Sequence, residues 1–441
     1  MKSTSVIAIF DVGKTNKKLF LFDEQYRIVH EEITQFPEVK DEDGDPCEDV
    51  EQLSQWIRNS LNKLLADKDF NVKAINFSAY GASFVHLDKN GKVISPLYNY
   101  LKPYSEDLKK KFYDTYGGEL DFCKTTASPA LGSLNSGMVL FRLKYEKSDL
   151  FKSIRYSLHL PQYLSFLITG KMYSDITSIG CHTNLWDFTQ HKYHSWLVKE
   201  GVDEKLAPIF PSDKVMEVSL SEEFFSVGAG LHDSSSALIP YLKKFQDPFI
   251  LISTGTWCIS LNPFNQNPLT AEELKKDCLC YLSYEGKPVK ASRLFAGNEH
   301  ETQIKRLAAH FNTDLDYYKT VQYDSQIIAT LKKKKLDLPE CSSYEVAYHQ
   351  LMLDIITLQK KSTDLVLTDT SVKQIFVDGG FSKNIIYMNL LSQEYSSIKV
   401  FAASAAQATA LGAAMAIHNH WNSGSLPENV IELKEYGSQQ T

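Results

Sequence analysis

The sequence predicts an α/β protein of two similar lobes that face each other across a cleft. Two observations carry this. Ser5 to Asp23, SVIAIFDVGKTNKKLFLFD, reads as strand, tight turn, strand. Phe249 to Leu261 restarts that hairpin in the back half, with Ser253-Thr254-Gly255-Thr256 at its turn. Each hairpin is followed by alternating helices and strands, so the second half repeats the plan of the first.

In the first hairpin Val6 to Phe10 and Lys18 to Phe22 are the strands, and Gly13-Lys14-Thr15-Asn16 is the turn. Asp11 closes the first strand. A carboxylate at the mouth of a buried strand needs a partner, and a metal ion is the natural one. Gly13-Lys14-Thr15 spells the end of a Walker A motif, but Ala8 stands where that motif needs its first glycine. A strand rather than a helix follows Thr15. The P-loop is therefore rejected. A plain hairpin with a lysine-rich turn remains the alternative to a metal–nucleotide site.

Ile28 to Phe36 continues as a third strand, and the acidic segment Lys40 to Asp49 is a loop. Asp49 to Ala66 has helical spacing at Val50, Leu53, Trp56, Ile57, Leu61, Leu64 and Leu65. Val72 to Phe77 and Phe84 to Leu87 are strands, with pairing resumed at Val93. Ser133 to Tyr145, Leu160 to Ile168 and Tyr193 to Lys199 read as helices. Leu238 begins an apolar helix ending near Lys244. In the back half Cys280 to Leu282, Val289, Gln374 to Val377 and Val400-Phe401 add strands. Gln303 to Phe311, Tyr344 to Leu367 and Ala405 to His418 add helices.

The chain has 441 residues, 43% hydrophobic and 23% charged, with net charge −7, which is ordinary for a globular protein of two or three domains. No basic footprint argues for nucleic acid, and Lys332 to Lys335 reads as a solvated helix end. No apolar run approaches the roughly 20 residues of a membrane span. Met1-Lys2-Ser3-Thr4 runs straight into a strand, leaving no room for a signal peptide. The seven cysteines lack disulfide or metal spacing, which points to a reducing cytoplasm.

Asp233 is the leading catalytic candidate. Gly228 and Gly230 let the backbone bend ahead of it, and a helix follows, so it is either a helix cap or a general base for a substrate hydroxyl. His232 is a sugar contact or a satisfied polar neighbour. Thr254, Gly255 and Thr256 form a hydroxyl-lined turn suited to phosphate oxygens, or an ordinary hairpin. Gly379 and Gly380 let a flat ligand approach the backbone, with Ser382 or Asn384 to bond it. The small residues from Ala402 to Ala414 are read as close helix packing between lobes.

The ordered set DVGKT, AYGASFVHLD, GLHDSSSA, STGTW, VDGGFSKN and ATALGAA resembles the FGGY family of carbohydrate kinases, from Asp11 to Ala414. The resemblance implies two ribonuclease H-like domains of the actin/hexokinase type. Residues 1–245 hold the sugar and the base, and residues 246–441 hold ATP. It implies magnesium-dependent transfer of the γ-phosphoryl group to a sugar or polyol hydroxyl. By position, Asp11 and Asp233 are the magnesium ligands and Asp233 the base. Gly13, Lys14, Thr15, Asn16 and Lys17 fall in the first phosphate loop, Lys17 near the family's usual basic residue. Thr254, Gly255 and Thr256 fall in the second, and Gly379, Gly380 and Asn384 in the adenosine pocket. Ala82, Ser83, His232 and Asp233 lie on the sugar side. Tyr98 to Pro103, YNYLKP, lacks the Asp and Arg that members often carry there. The H-D-x-x-x-A form at Asp233 is similar to rhamnulokinases and fuculokinases, so a deoxy-L-ketohexose is the expected sugar, with xylulose or ribulose next. The expected partners are the sugar and ATP, without nucleic acid or membrane; a homodimer is left open.

Overall fold

A computed structural model describes residues 3–220, 223–405 and 407–437. Met1 and Lys2, expected to lead into the first strand, and Ala406, within the small-residue segment, lie outside them. The first lobe is a seven-stranded mixed sheet. Its strands are β1 (Thr4–Val12), β2 (Lys17–Asp23), β3 (Ile28–Thr34), β4 (Phe70–Ala79), β5 (Val215–Leu220), β6 (Glu223–Gly228) and β7 (Leu231–His232). They lie in the order β5-β6-β4-β1-β2-β3, with β7 on β4. β1 runs antiparallel to β2 and parallel to β4.

Val6 to Phe10 of β1 are wholly buried, as a central strand covered on both faces requires. β3, at the sheet edge, alternates half-buried and exposed residues instead. Helix α1 (Val50–Ala66) covers one face and is capped by the Asp49 side chain on the Gln52 amide. Helix α2 (Leu160–Thr169) ends at Gly170 in the left-handed conformation. Helix α3 (Asp233–Lys244) leaves this lobe.

The second lobe repeats the design with β8 (Phe249–Thr254), β9 (Cys258–Asn262), β10 (Cys278–Leu282), β11 (Pro288–Leu294), β12 (Gln374–Gly379), β13 (Lys399–Ala405) and β14 (Ile431–Tyr436). Its order is β10-β11-β9-β8-β12-β13-β14. Helices α4 (Ala296–Phe311), α5 (Tyr344–Leu367), α6 (Ile385–Glu394) and α7 (Ala408–Ala416) are among its helices. Among the described residues no helix is long and apolar enough to cross a membrane.

Several boundaries differ from the sequence reading. Helix α3 begins at Asp233, not Leu238, because Ser234 to Ser236 form its polar first turn. The run expected as one helix from Ala405 to His418 ends a strand at Ala405 and begins α7 only at Ala408. Alanine carries no apolar period to mark that change. Val93 contributes only an isolated bridge to Leu87.

The lobes are joined by α3 crossing α7. A methyl group at Gly412 would stand 1.8 Å from the Ser236 carbonyl oxygen, so the helices touch backbone to backbone. The Ser236 hydroxyl donates to the Thr409 carbonyl at 2.7 Å, and the Asn76 amide nitrogen donates to the Ala413 carbonyl at 2.8 Å. The expectation of close packing by small residues holds here for a steric reason. Gly412→Val is expected to lower stability by at least about 1–3 kcal/mol through overpacking, read by urea unfolding.

Candidate active site

Asp11 lies near the end of β1, level with Lys18 on β2 and Ser78 on β4. Residues level across a sheet share a face, so Lys18 and Ser78 stand beside Asp11 while Lys17, level with Val12, points to the opposite face. The Asp11 carboxylate accepts from the Thr409 hydroxyl of α7 at 2.9 Å. Lys18 Nζ donates to Gln407 Oε1 at 3.0 Å, so both contacts span the two lobes. Burial, and then the charge of Asp233, push the Asp11 carboxyl up to about 6, against the opposing pull of Thr409, Lys18 and Ser78.

Asp233 is the first residue of α3, and the cap position falls to His232. One oxygen, Oδ1, accepts from the Ser234 amide at 2.6 Å and lies 3.1 Å from His232 Nε2. Oδ2 has no protein partner among the described residues, and the side chain is 33% exposed. His232 is enclosed. Its Nδ1 lies 3.2 Å from the Ser235 hydroxyl, which itself donates to the Leu282 carbonyl at 3.0 Å. Its Nε2 lies 3.0 Å from Cys181 Sγ. Burial holds the imidazole below its usual range. His232 is thus buried beside Asp233, with its ring nitrogens on Ser235 and Cys181.

The turn after β1 closes by a hydrogen bond from the Gly13 amide to the Asn16 carbonyl at 2.9 Å, and Thr15 is exposed at its tip. Asn16 Oδ1 accepts from Gln35 at 2.8 Å. Lys14 and Lys17, expected on the phosphates, are corrected. Lys17 is buried and bonds Glu48 and the Lys14 carbonyl, each at 2.9 Å. Lys14 pairs with Glu38 at 2.8 Å. Strand parity makes Lys18 the cation of the cleft. That parity was legible in the sequence, because Asp11 and Lys18 stand symmetrically about the turn.

Thr254 ends β8. It is buried, its hydroxyl donating to the Asp378 carbonyl at 2.6 Å and accepting from the Phe381 amide at 3.0 Å. Gly379 has φ +90°, and a methyl there would stand 2.0 Å from the Thr254 carbonyl oxygen. Its close approach is to Thr254 rather than to a flat ligand. Asn384 caps α6 through Oδ1 and donates to the Tyr348 hydroxyl at 2.7 Å, so its polar atoms serve the fold. Gly255 and Thr256 remain exposed.

Gly255, Gly380 and Asn384 line a cavity of about 760 Å³, walled further by His300, Tyr318 and Tyr436. A smaller cavity of about 350 Å³ shares Gly380 and Lys383 with it and reaches Gln407 and Thr409. The two share a wall, and Thr409 at the smaller one bonds Asp11. Lys383, Gln407 and Thr409 were missed in the sequence because each comes close to Asp11 or these cavities only through folding. Tyr318 and Tyr436 were likewise invisible.

On the sugar side, Ala82 and Ser83 are each only 3% exposed, so the contact expected of them is corrected. Tyr100 is half-buried and lies near Asp233. Its ring packs edge-on against Tyr80 at 5.9 Å, and Asp233 is the charge that most raises its phenol after burial. Lys102 of the YNYLKP segment is consumed by Asp41, Asp43 and Asp45 at 2.5, 3.0 and 2.7 Å.

The donor set at Asp11 and Asp233 suits magnesium: hard carboxylate oxygens, one without a protein partner, and mutual repulsion that a cation relieves. Two carboxylates do not fill an octahedral shell, so phosphate oxygens and water have to complete it.

Residues 6–239 match the model of the FGGY family of carbohydrate kinases, N-terminal domain. Residues 246–368 match the carbohydrate kinase FGGY C-terminal domain. A rhamnulokinase of Halalkalibacterium halodurans is 24% identical over 272 residues, 56% of this chain and 54% of that protein. The chain spans about half the length of the curated relatives it matches. The crystal structure of a carbohydrate kinase from Novosphingobium aromaticivorans superposes with TM-score 0.80 at 23% identity, over 99% of this chain and 94% of that one. A Plasmodium falciparum glycerol kinase with ADP superposes with TM-score 0.75 at 17% identity, over 95% and 90%. At these identities the structural likeness fixes the fold.

Two expectations separate the lysines and the acid. Lys18→Met should weaken ATP use, lowering kcat/KM about 10²-fold. Lys17→Met should spare KM for ATP and instead lower the thermal midpoint, since it strands buried Glu48. For Asp11, a carboxyl raised from 3.8 to about 6 binds its proton more tightly when folded. Its contribution to stability is present at low pH and is lost as pH rises through that window. In magnesium-free buffer Asp11→Asn should therefore gain thermal midpoint over wild type between those pH values and hold the gain above them.

Proposed function

The chain belongs to the FGGY family of carbohydrate kinases, and on that premise we propose that it transfers the γ-phosphoryl group of ATP to a hydroxyl of a deoxy-L-ketohexose, rhamnulose or fuculose, with Asp233 as general base. The observation that carries this is the free Oδ2 of Asp233 at the head of α3, in electrostatic reach of Asp11, whose partner Thr409 lines the smaller cavity. The rhamnulokinase relative and the GLHDSSSA motif support the sugar class. The ADP in the glycerol kinase structure supports a nucleotide in the cavities.

The base and ribose occupy the larger cavity between Tyr318 and Tyr436, and the phosphates pass Gly380 and Lys383 toward Thr409. Gly255, Thr256, Thr15 and the Gly13–Asn16 turn offer amides and hydroxyls from opposite lobes. Lys18 supplies positive charge where negative charge develops. Asp11 and Asp233 would hold magnesium, which would supply positive charge to offset that of the phosphates.

The sugar lies against Tyr100 with the acceptor hydroxyl on Asp233 Oδ2. As the new oxygen–phosphorus bond forms and the bond to ADP breaks, Asp233 takes the hydroxyl proton. The Ser234 amide keeps Oδ1 fixed, leaving Oδ2 for the substrate. Closure of the lobes excludes water and limits ATP hydrolysis. All seven cysteines are unpaired and buried, which supports a cytoplasmic setting.

A coupled ATP assay over ketoses tests the reading. Asp233→Asn should lower kcat about 10²- to 10⁴-fold with the preferred sugar. Turnover within tenfold of wild type removes the base assignment, and a preference for xylulose or ribulose removes the sugar class.

A further inference from the structure

Helices α3 and α7 both start at the cleft and both run to a second cavity. α3 opens with Asp233 and, 12 residues or about 18 Å later, closes with Lys243 and Lys244. α7 opens beside Thr409 and ends at Ala416. The cavity at their far ends has a volume of about 570 Å³ and is lined by Lys243, Lys214, Tyr284, Glu285, His418 and His420. Its walls come from both lobes, Lys214 from the first and Tyr284 and Glu285 from the second.

Its charges are unevenly satisfied. Lys243 is half-buried and has neither a hydrogen-bonded nor an ion-paired partner among the described residues; its ammonium lies 5.5 Å from the Tyr284 ring. Of the acids in its walls, Glu285 is held by Lys287 at 2.6 Å, and Asp213 lies 3.6 Å from Lys214, itself a wall residue. Burial lowers Lys243 from its usual range, and the pull of Glu285 and Asp213 does not restore it. His418 is bound by Tyr26 at 2.7 Å and by the Gly424 carbonyl at 3.0 Å. A desolvated ammonium over an aromatic ring, in a space of this size, is suited to an anion.

The cavity also reaches the base by hydrogen bonds. Ser212, in its wall, donates to the buried Asp175 carboxylate. Asp175 accepts from the Thr177 amide at 2.9 Å and from the Thr177 hydroxyl. That hydroxyl accepts from the His232 amide at 2.9 Å, one residue before Asp233. Two helices and one hydrogen-bonded chain thus join this cavity to the catalytic groups.

We propose that this cavity is an effector site for a small phosphate-bearing molecule, gripped by Lys243 with Lys214 at its rim, and that occupancy changes how the lobes close on the substrates. A ligand seated there contacts both lobes, so it favours whichever separation fits it and shifts the open–closed balance. This goes beyond the kinase reading, and its binding arm does not depend on which sugar is phosphorylated.

The test is calorimetric titration of the full chain with a ketose 1-phosphate and, separately, with inorganic phosphate, the cleft being filled with a non-hydrolysable ATP analogue. One site is expected, weakened about tenfold or more by Lys243→Met. Tighter binding of the ester assigns the site to sugar phosphates, and equal binding assigns it to the free anion. The ester should also change KM for the ketose by about fivefold in wild type and leave Lys243→Met unmoved. A wild-type thermal midpoint certifies that variant; if it unfolds, Lys214→Met is read in its place. No binding with the cleft filled, or binding indifferent to these substitutions, overturns the site. Binding without a kinetic effect overturns the regulation.

Discussion

Everything in this fold depends on one backbone contact, the crossing of α3 and α7 at Ser236 and Gly412. α3 is the last element of the first lobe and α7 belongs to the second. Because they touch without an intervening side chain, their N-termini open at the same place. Asp233 enters the cleft from one and Thr409 from the other, where it holds Asp11. A larger residue at the crossing forces the helices apart and separates groups that work only together. The seven-stranded sheets behind them set direction: each central strand is buried on both faces and delivers its last residues to the cleft.

Charge is distributed with the same economy. Lys17 and Lys14 are paired with glutamates, and three aspartates close around Lys102. Lys18 bonds a neutral glutamine and so keeps a net positive charge beside Asp11. The two acids are left facing each other, and their repulsion, with burial, accounts for the raised Asp11 carboxyl. A site that is electrostatically uncomfortable when empty and relieved by a cation and a phosphate chain suits phosphoryl transfer.

His232 and Thr254 teach a common lesson about motif residues. Both lie in motifs whose chemistry points to ligand contact, and both turn out to be buried and saturated with protein partners. His232 lies buried beside Asp233, and Thr254 holds the turn that carries Gly380. A polar residue between two glycine-flanked strands has two ways to be satisfied, and sequence does not say which the fold chooses.

The sequence alone determined the two-lobe α/β architecture, the opening hairpin of each lobe, the acids Asp11 and Asp233 and the small residues between lobes. These follow from local rules, the apolar period of a strand or helix and the cost of an unpartnered carboxylate, and such rules act over a few residues. Only the tertiary structure decided that Tyr100 lies near Asp233, and that Lys383, Gln407 and Thr409 line one cavity. Those assignments depend on which face of a sheet is covered and on contacts between residues as far apart as Asp11 and Thr409, and no local pattern records them.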